Sequence, residues 1–130
     1  MYKNDKFSKK INIDTENGVY VFTCESASGK TYLCKELKKL REAGEPVVSF
    51  TFSDYINGLN LKEQVEKIKP KVIMLDRYDM YDKAFNNDII EWGNNSIVLI
   101  DHKSPYFLNS ADTCCISFDS YEIEVMAWLV

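Results

Sequence analysis

Eight consecutive residues, Cys24-Glu25-Ser26-Ala27-Ser28-Gly29-Lys30-Thr31, bring small side chains, one ammonium and hydroxyl groups to the join between an apolar run and an amphipathic segment. Small side chains let backbone N–H groups approach a ligand closely. At the start of a helix those groups and the positive end of the dipole favour an anion. The chemistry such a segment suits is the binding of a phosphate-like group. A second polar group, Asp76-Arg77-Tyr78-Asp79, follows the apolar run Val72 to Leu75, and a third, Asp101-His102, follows Ile97 to Ile100. His102 is the only histidine, the side chain whose charge changes most readily near neutral pH.

The first segment closely resembles the phosphate loop of P-loop nucleoside triphosphatases, G-x-x-x-x-G-K-[ST], with Cys24 in place of the first glycine. The resemblance implies that Ser26, Ala27, Ser28 and Gly29 wrap a β-phosphate with their backbone. It also implies that Lys30 reaches the β- and γ-phosphate oxygens and that the Thr31 hydroxyl ligates Mg²⁺, the expected cofactor. Val72 to Asp76 resembles the second motif of that family, whose acid holds the Mg²⁺ shell, so Asp76 is expected to join Thr31 as a metal group. Asp101 and His102 stand where family members present polar sensors to the γ-phosphate, and both are expected to contribute to nucleotide binding. Lys30 is expected to be exposed in the empty loop.

The sequence departs from the family at the residue after Asp76. Many P-loop ATPases carry a catalytic Glu there, and this chain has Arg77, which cannot act as a base. Asp79 and Glu25 are the carboxylates available to replace it. The expectation is a minimal domain that binds a nucleoside triphosphate with weak or no hydrolysis. ATP is favoured over GTP because the N-K-x-D guanine motif is missing. Two alternatives stay open. Asp76-Arg77-Tyr78 resembles the segment that thymidylate-kinase-like phosphotransferases carry after their third strand, although His102 to Thr113 lacks the arginines of their lid. The other alternative is a non-catalytic nucleotide-dependent switch or accessory subunit, whose protein partner the sequence does not name.

Positioning these groups requires a particular order of elements. Val19 to Cys24, Val47 to Phe52, Val72 to Leu75 and Ile97 to Ile100 are continuous apolar runs, the pattern of strands buried on both faces. Leu33, Leu37 and Leu40 mark a helix that Gly44 and Pro46 stop; Asn60 and Glu63 can cap a second with Leu61, Val65 and Ile68 on one face. Asp82 can cap a third, with Phe85, Ile89 and Trp92 facing inward and Gly93 at its end. Alternating strands and helices predict a three-layer α/β/α sandwich with a mainly parallel sheet, the loop-bearing strand beside Ile97–Asp101 and Val47–Phe52 toward an edge. Ser104-Pro105 predicts a short helical crossover. Two hairpins are expected at the margins: Lys10–Asp14 turning through Glu16-Asn17-Gly18 into Val19, and Cys114–Phe118 turning into Tyr121–Met126.

The totals narrow the function further. At 130 residues without repeats or linkers, the chain is expected to form one domain over residues 1–130. A net charge of −4 with only two arginines, Arg41 and Arg77, argues against nucleic-acid binding, and Lys35, Lys38 and Lys39 read as the solvated face of a helix. No apolar run approaches membrane-spanning length, and Met1 to Lys10 is not a secretory signal, so a cytoplasmic protein is expected. Cys24, Cys34, Cys114 and Cys115 form no C-x-x-C pair and are expected to be reduced thiols, buried in the core where the fold closes over them.

Overall fold

The computed structural model describes residues 10–22, 27–104, 107–108, 111–118 and 122–127. In chain order they form β1 (Lys10–Asp14), β2 (Gly18–Phe22), α1 (Ala27–Glu42), β3 (Val47–Phe50), α2 (Phe52–Ile56), α3 (Leu61–Ile68) and β4 (Val72–Leu75). A 3-10 helix (Tyr78–Tyr81), α4 (Asn86–Trp92), β5 (Ile97–Ile100), β6 (Asp112–Phe118) and β7 (Glu122–Ala127) follow. The seven strands make one sheet in the order β1-β7-β6-β2-β5-β4-β3. Among the described residues its only antiparallel pairing is β6 with β7; β2, β3, β4, β5 and β6 all run the same way. The fold is therefore α/β with a mainly parallel sheet. β2 pairs with β5, as expected, and β3 lies at the end of the sheet.

The continuous apolar runs are explained by burial on both faces. Within β4, Val72 and Met74 join one apolar cluster while Ile73 and Leu75 join another; within β5, Leu99 joins the first while Val98 and Ile100 join the second. Successive side chains of a strand point to opposite faces, so these clusters are the two sides of the sheet. Leu33, Leu37 and Leu40 of α1 cover one side; Leu61 of α3 and Ile89 of α4 cover the other. Cys34 and Cys114 are buried free thiols. Burial pushes the Cys34 thiol up to about 11, which removes it from thiolate chemistry at neutral pH. Among the described residues, no helix is long and apolar enough to cross a membrane.

Several local expectations are corrected. β1 does not form a hairpin with β2: it pairs in parallel with β7, and β6 and β7 lie between it and β2. Both edges of β2 are occupied by parallel neighbours, so the Asn17-Gly18 turn leads the chain past the hairpin instead of back along β2. The Tyr20 hydroxyl pins this connection by donating to the Glu16 carbonyl at 2.8 Å. The second hairpin is present as β6–β7, although β6 itself is parallel to β2.

The third strand ends at Phe50, and Phe52 instead opens α2. There the Thr51 hydroxyl accepts the Asp54 N–H while the Asp54 carboxylate accepts the Thr51 N–H, a reciprocal cap. Asn60 caps α3 as expected. Asp82 does not cap α4; the helix begins at Asn86, and the Phe85 N–H is taken by the Tyr78 hydroxyl at 2.8 Å. A tertiary partner replaces the local carboxylate. Pro105 lies outside the described residues, while Phe107, Leu108 and Ala111 pack on the α3/α4 side.

Gly93 supplies a stability prediction. A Cβ there would stand 2.8 Å from Val19 Cγ2 and 3.3 Å from the Gly18 carbonyl carbon, where α4 ends against the start of β2. Gly93→Ala is expected to destabilise the fold by about 1–3 kcal/mol in urea titration; a variant as stable as wild type would show that the contact yields without strain.

Candidate functional site

The polar residues converge because of register and alternation. β4 and β5 run side by side with Leu75 opposite Ile100, so Asp76 and Asp101 leave the same end of the sheet together. The Asp76 N–H donates to the Phe50 carbonyl and the Asp101 N–H to the Leu75 carbonyl, each at 2.9 Å. Continuing the alternation past Met74 and Leu99 turns both carboxylates toward the side that α1 covers. On the other side of β5, Val21 of β2 lies opposite Ile100, and the chain returns at Ala27 to begin α1. Lys30, in the first turn of that helix, places Nζ 3.1 Å from Asp101 Oδ1, with only 12% and 9% of the two side chains exposed.

Lys30 is therefore not exposed, contrary to the sequence expectation. A buried carboxylate at the end of the adjacent strand, β5, offers its ammonium a partner that no sequence neighbour provides. Gly29 is buried and Thr31 exposed in the same turn, while Ala27 and Ser28 open the helix. Cys24, Glu25 and Ser26 lie outside the described residues. Among the described residues, the first turn of α1 contains no acidic side chain, and the last contains Lys39 and Arg41, which offset the negative end of the dipole.

The electrostatics of the pair are those of a site needing positive charge. The Asp76 carboxyl is pushed up to about 6, by burial first and then by the Asp101 charge and hydrogen bond, against the lowering by the Arg77 and Lys30 charges. One ammonium faces two carboxyls. Among the described residues, no group of three or more His, Cys, Asp or Glu side chains could cage a metal. Mg²⁺, however, is commonly held through one or two carboxylates together with substrate phosphates. Asp76 and Thr31 carry oxygen donors of that kind, Asp76 half-buried at the end of β4 and Thr31 exposed in the first turn of α1.

The other sequence-selected residues sit differently. Arg77 has a left-handed backbone (φ 48°), exposes its side chain and donates through Nε and Nη2 to Asp79 at 3.4 Å each. Burial opposes charge on Asp79, but the Arg77 hydrogen bond and charge outweigh it and hold this carboxyl below the usual range. Asp79 is thus an occupied, weakly basic carboxylate. Tyr78 is fully buried, and its hydroxyl donates to Asn86 Oδ1 at 2.6 Å. In the Asp76-Arg77-Tyr78 segment, the tyrosine is a packing group.

Alternation separates the two expected sensors. Asp101 joins Lys30 and Asp76, whereas His102 turns to the side of Ile100, stacking on Phe107 with ring centroids 4.1 Å apart. His102 Nδ1 accepts the Ser104 N–H at 2.9 Å, leaving Nε2 to face Asp82 Oδ2 at 3.5 Å.

Sequence reasoning missed the supports of the site. The Tyr81 hydroxyl lies 3.1 Å from the Asp76 carbonyl oxygen and 3.3 Å from that of Phe50, tying the ends of β4 and β3 together. No spacing rule announces such a bond. The Thr51/Asp54 spacing does announce α2, whose Phe52 and Tyr55 stack on Tyr81. Lys38, expected on a solvated face, keeps 38% of its side chain exposed while bridging to Asp54 at 2.6 Å. Comparison with family models, curated proteins and solved structures gave no match to this chain.

Proposed function

We propose that this chain is a minimal P-loop-like domain that binds a nucleoside triphosphate, ATP in preference to GTP, with Mg²⁺ and with slow or no hydrolysis. The observation that carries the reading is the meeting of Lys30, Asp101 and Asp76 from α1, β5 and β4 at one end of a parallel sheet. Ligands of open α/β sheets bind beyond the carboxyl ends of strands, where connections leave neighbouring strands in opposite directions. β2 and β5 are such a pair: α1 leads from β2 toward β3 across one face, and the segment after β5 leads to β6 across the other. In this reading Lys30 transfers from Asp101 to phosphate oxygens, and the N–H groups from Ala27 to Gly29, together with Ser26, receive the anion. Asp76 and Thr31 hold Mg²⁺, which supplies charge neutralisation of the phosphates when bound.

Slow turnover follows from the neighbours of Asp76. Arg77 occupies the place of a water-polarising carboxylate, and Asp79 is committed to Arg77. This favours occupancy without fast chemistry, as in a nucleotide-dependent switch or accessory subunit. Phosphate release by the purified chain is expected at or below the order of 10⁻³ s⁻¹, the range of P-loop proteins lacking a full catalytic set. Arg77→Glu is expected to raise it. Wild-type turnover of several per second, or γ-phosphoryl transfer to a nucleoside monophosphate, would overturn the slow-turnover reading in favour of an ATPase or a phosphotransferase respectively. The binding reading itself is tested by the melting experiment with Mg²⁺–ATP described below.

A further inference from the structure

The turn that follows β4 hangs from β5. The Tyr78 N–H donates to the Asp101 carbonyl at 2.7 Å, and the Arg77 N–H points to Asp101 Oδ2 at 3.4 Å. The second contact is long for an N–H···O bond. The other oxygen of that carboxylate is the one that holds Lys30 at 3.1 Å. Arg77 is also left-handed, a conformation a non-glycine residue keeps only where its surroundings hold it. One buried carboxylate thus stands between the ammonium of the phosphate site and a constrained backbone turn.

We propose that Asp101 is a positioning residue that ties occupancy of the phosphate site to the Arg77–Tyr81 turn. When a bound anion draws the Lys30 ammonium away, the Asp101 carboxylate shortens its bond to the Arg77 amide and the turn tightens. A carboxylate that is 9% exposed and has lost its cation gains from any N–H already beside it, because charge-assisted hydrogen bonds are the stronger ones and water is mostly excluded. The tightening reaches the surface through Tyr81, whose ring stacks on Tyr55 with centroids 5.2 Å apart. Tyr55 is 44% exposed on α2, a helix without a buried residue, and Met80 in the turn is 48% exposed. This inference rests on the phosphate-binding reading for the identity of the anion.

Amide hydrogen exchange of the full chain, followed by NMR, tests the coupling, with Mg²⁺–ATP and inorganic pyrophosphate as probes and calorimetry to measure binding. Exchange at Arg77 is expected to slow about tenfold on saturation with either probe. The Ser96 amide, bonded to the Trp92 carbonyl at the opposite end of the sheet, should not respond. Lys30→Met should slow Arg77 exchange without any probe, and Asp101→Asn should abolish the response; if the latter fails to fold, Lys30→Met decides. Binding by calorimetry with unchanged Arg77 exchange overturns the coupling and leaves the binding reading intact. Absence of binding overturns the binding reading. In that case Lys30→Met exchanging like wild type overturns the coupling as well, and slowed exchange supports it for another anion.

Discussion

Millimolar Mg²⁺–ATP is expected to raise the melting temperature of the wild-type protein, and Lys30→Ala is expected to remove that rise while lowering the melting temperature of the free protein. The first effect is mass action: a ligand at a hundred times its Kd stabilises the folded state by about 2.7 kcal/mol. The loss follows because Lys30 is the ammonium in the first turn of α1 beside Asp101. The second effect exists because Lys30 is nearly buried against Asp101, and its removal leaves that carboxylate beside Asp76 without its cation. Breaking a buried pair costs about 3–5 kcal/mol, and the remaining solvent access here reduces the expectation to about 2 kcal/mol. Lys30→Ala/Asp101→Asn should recover most of the free protein's stability without recovering the response to nucleotide. Calorimetric melting of the three proteins checks this. A wild-type protein that does not respond to nucleotide would end the binding reading, and a Lys30→Ala protein as stable as wild type would show that the Lys30–Asp101 contact contributes nothing.

Asp76→Asn is expected to stabilise the free protein at pH 7.5 and not at pH 4, while removing any dependence of nucleotide binding on Mg²⁺. Folding raises the Asp76 carboxyl from 3.8 to about 6, through burial first and then Asp101. A group raised in this way favours the folded state fully below its unfolded value, and that contribution is lost as pH rises through the folded value. Wild type therefore carries a penalty above about pH 6 that an uncharged amide avoids, and none below about pH 4. Such a displacement corresponds to at most about 3 kcal/mol, and partial exposure of the group lowers the expectation to about 1–2 kcal/mol. Urea titration at the two pH values reads it directly. Equal effects at both would show that packing, and not ionisation, governs the position. A stability gain at the expense of Mg²⁺ response is the trade expected of a residue retained for binding.

The sequence by itself determined the class of fold and most of its buried surface. Four apolar runs without alternation required strands covered on both faces, and β2, β3, β4 and β5 lie there. The spacing of Leu33, Leu37 and Leu40 defined the inner face of α1, and Asn60 capped α3 because capping is a local hydrogen bond between residues three apart. Lys30, Asp76 and Asp101 were legible as candidates because each directly follows, or stands one loop beyond, a strand readable in this way.

Tertiary structure decided everything that depends on which strand lies beside which. A turn signal such as Asn17-Gly18 states that the chain bends but not which edge is free, so β1 came to rest beside β7 and not β2. Asp82 yielded the start of α4 to a tyrosine hydroxyl from the preceding 3-10 helix. The Lys30–Asp101 bond joins residues on elements that only sheet pairing makes neighbours, and it turned an expected exposed lysine into a nearly buried one. Asp101 and His102, adjacent in the chain, were sent to opposite sides by strand alternation. Local rules act over a few residues, whereas the partners of a buried charge are chosen by desolvation, which rewards whatever opposite charge the completed fold brings within reach.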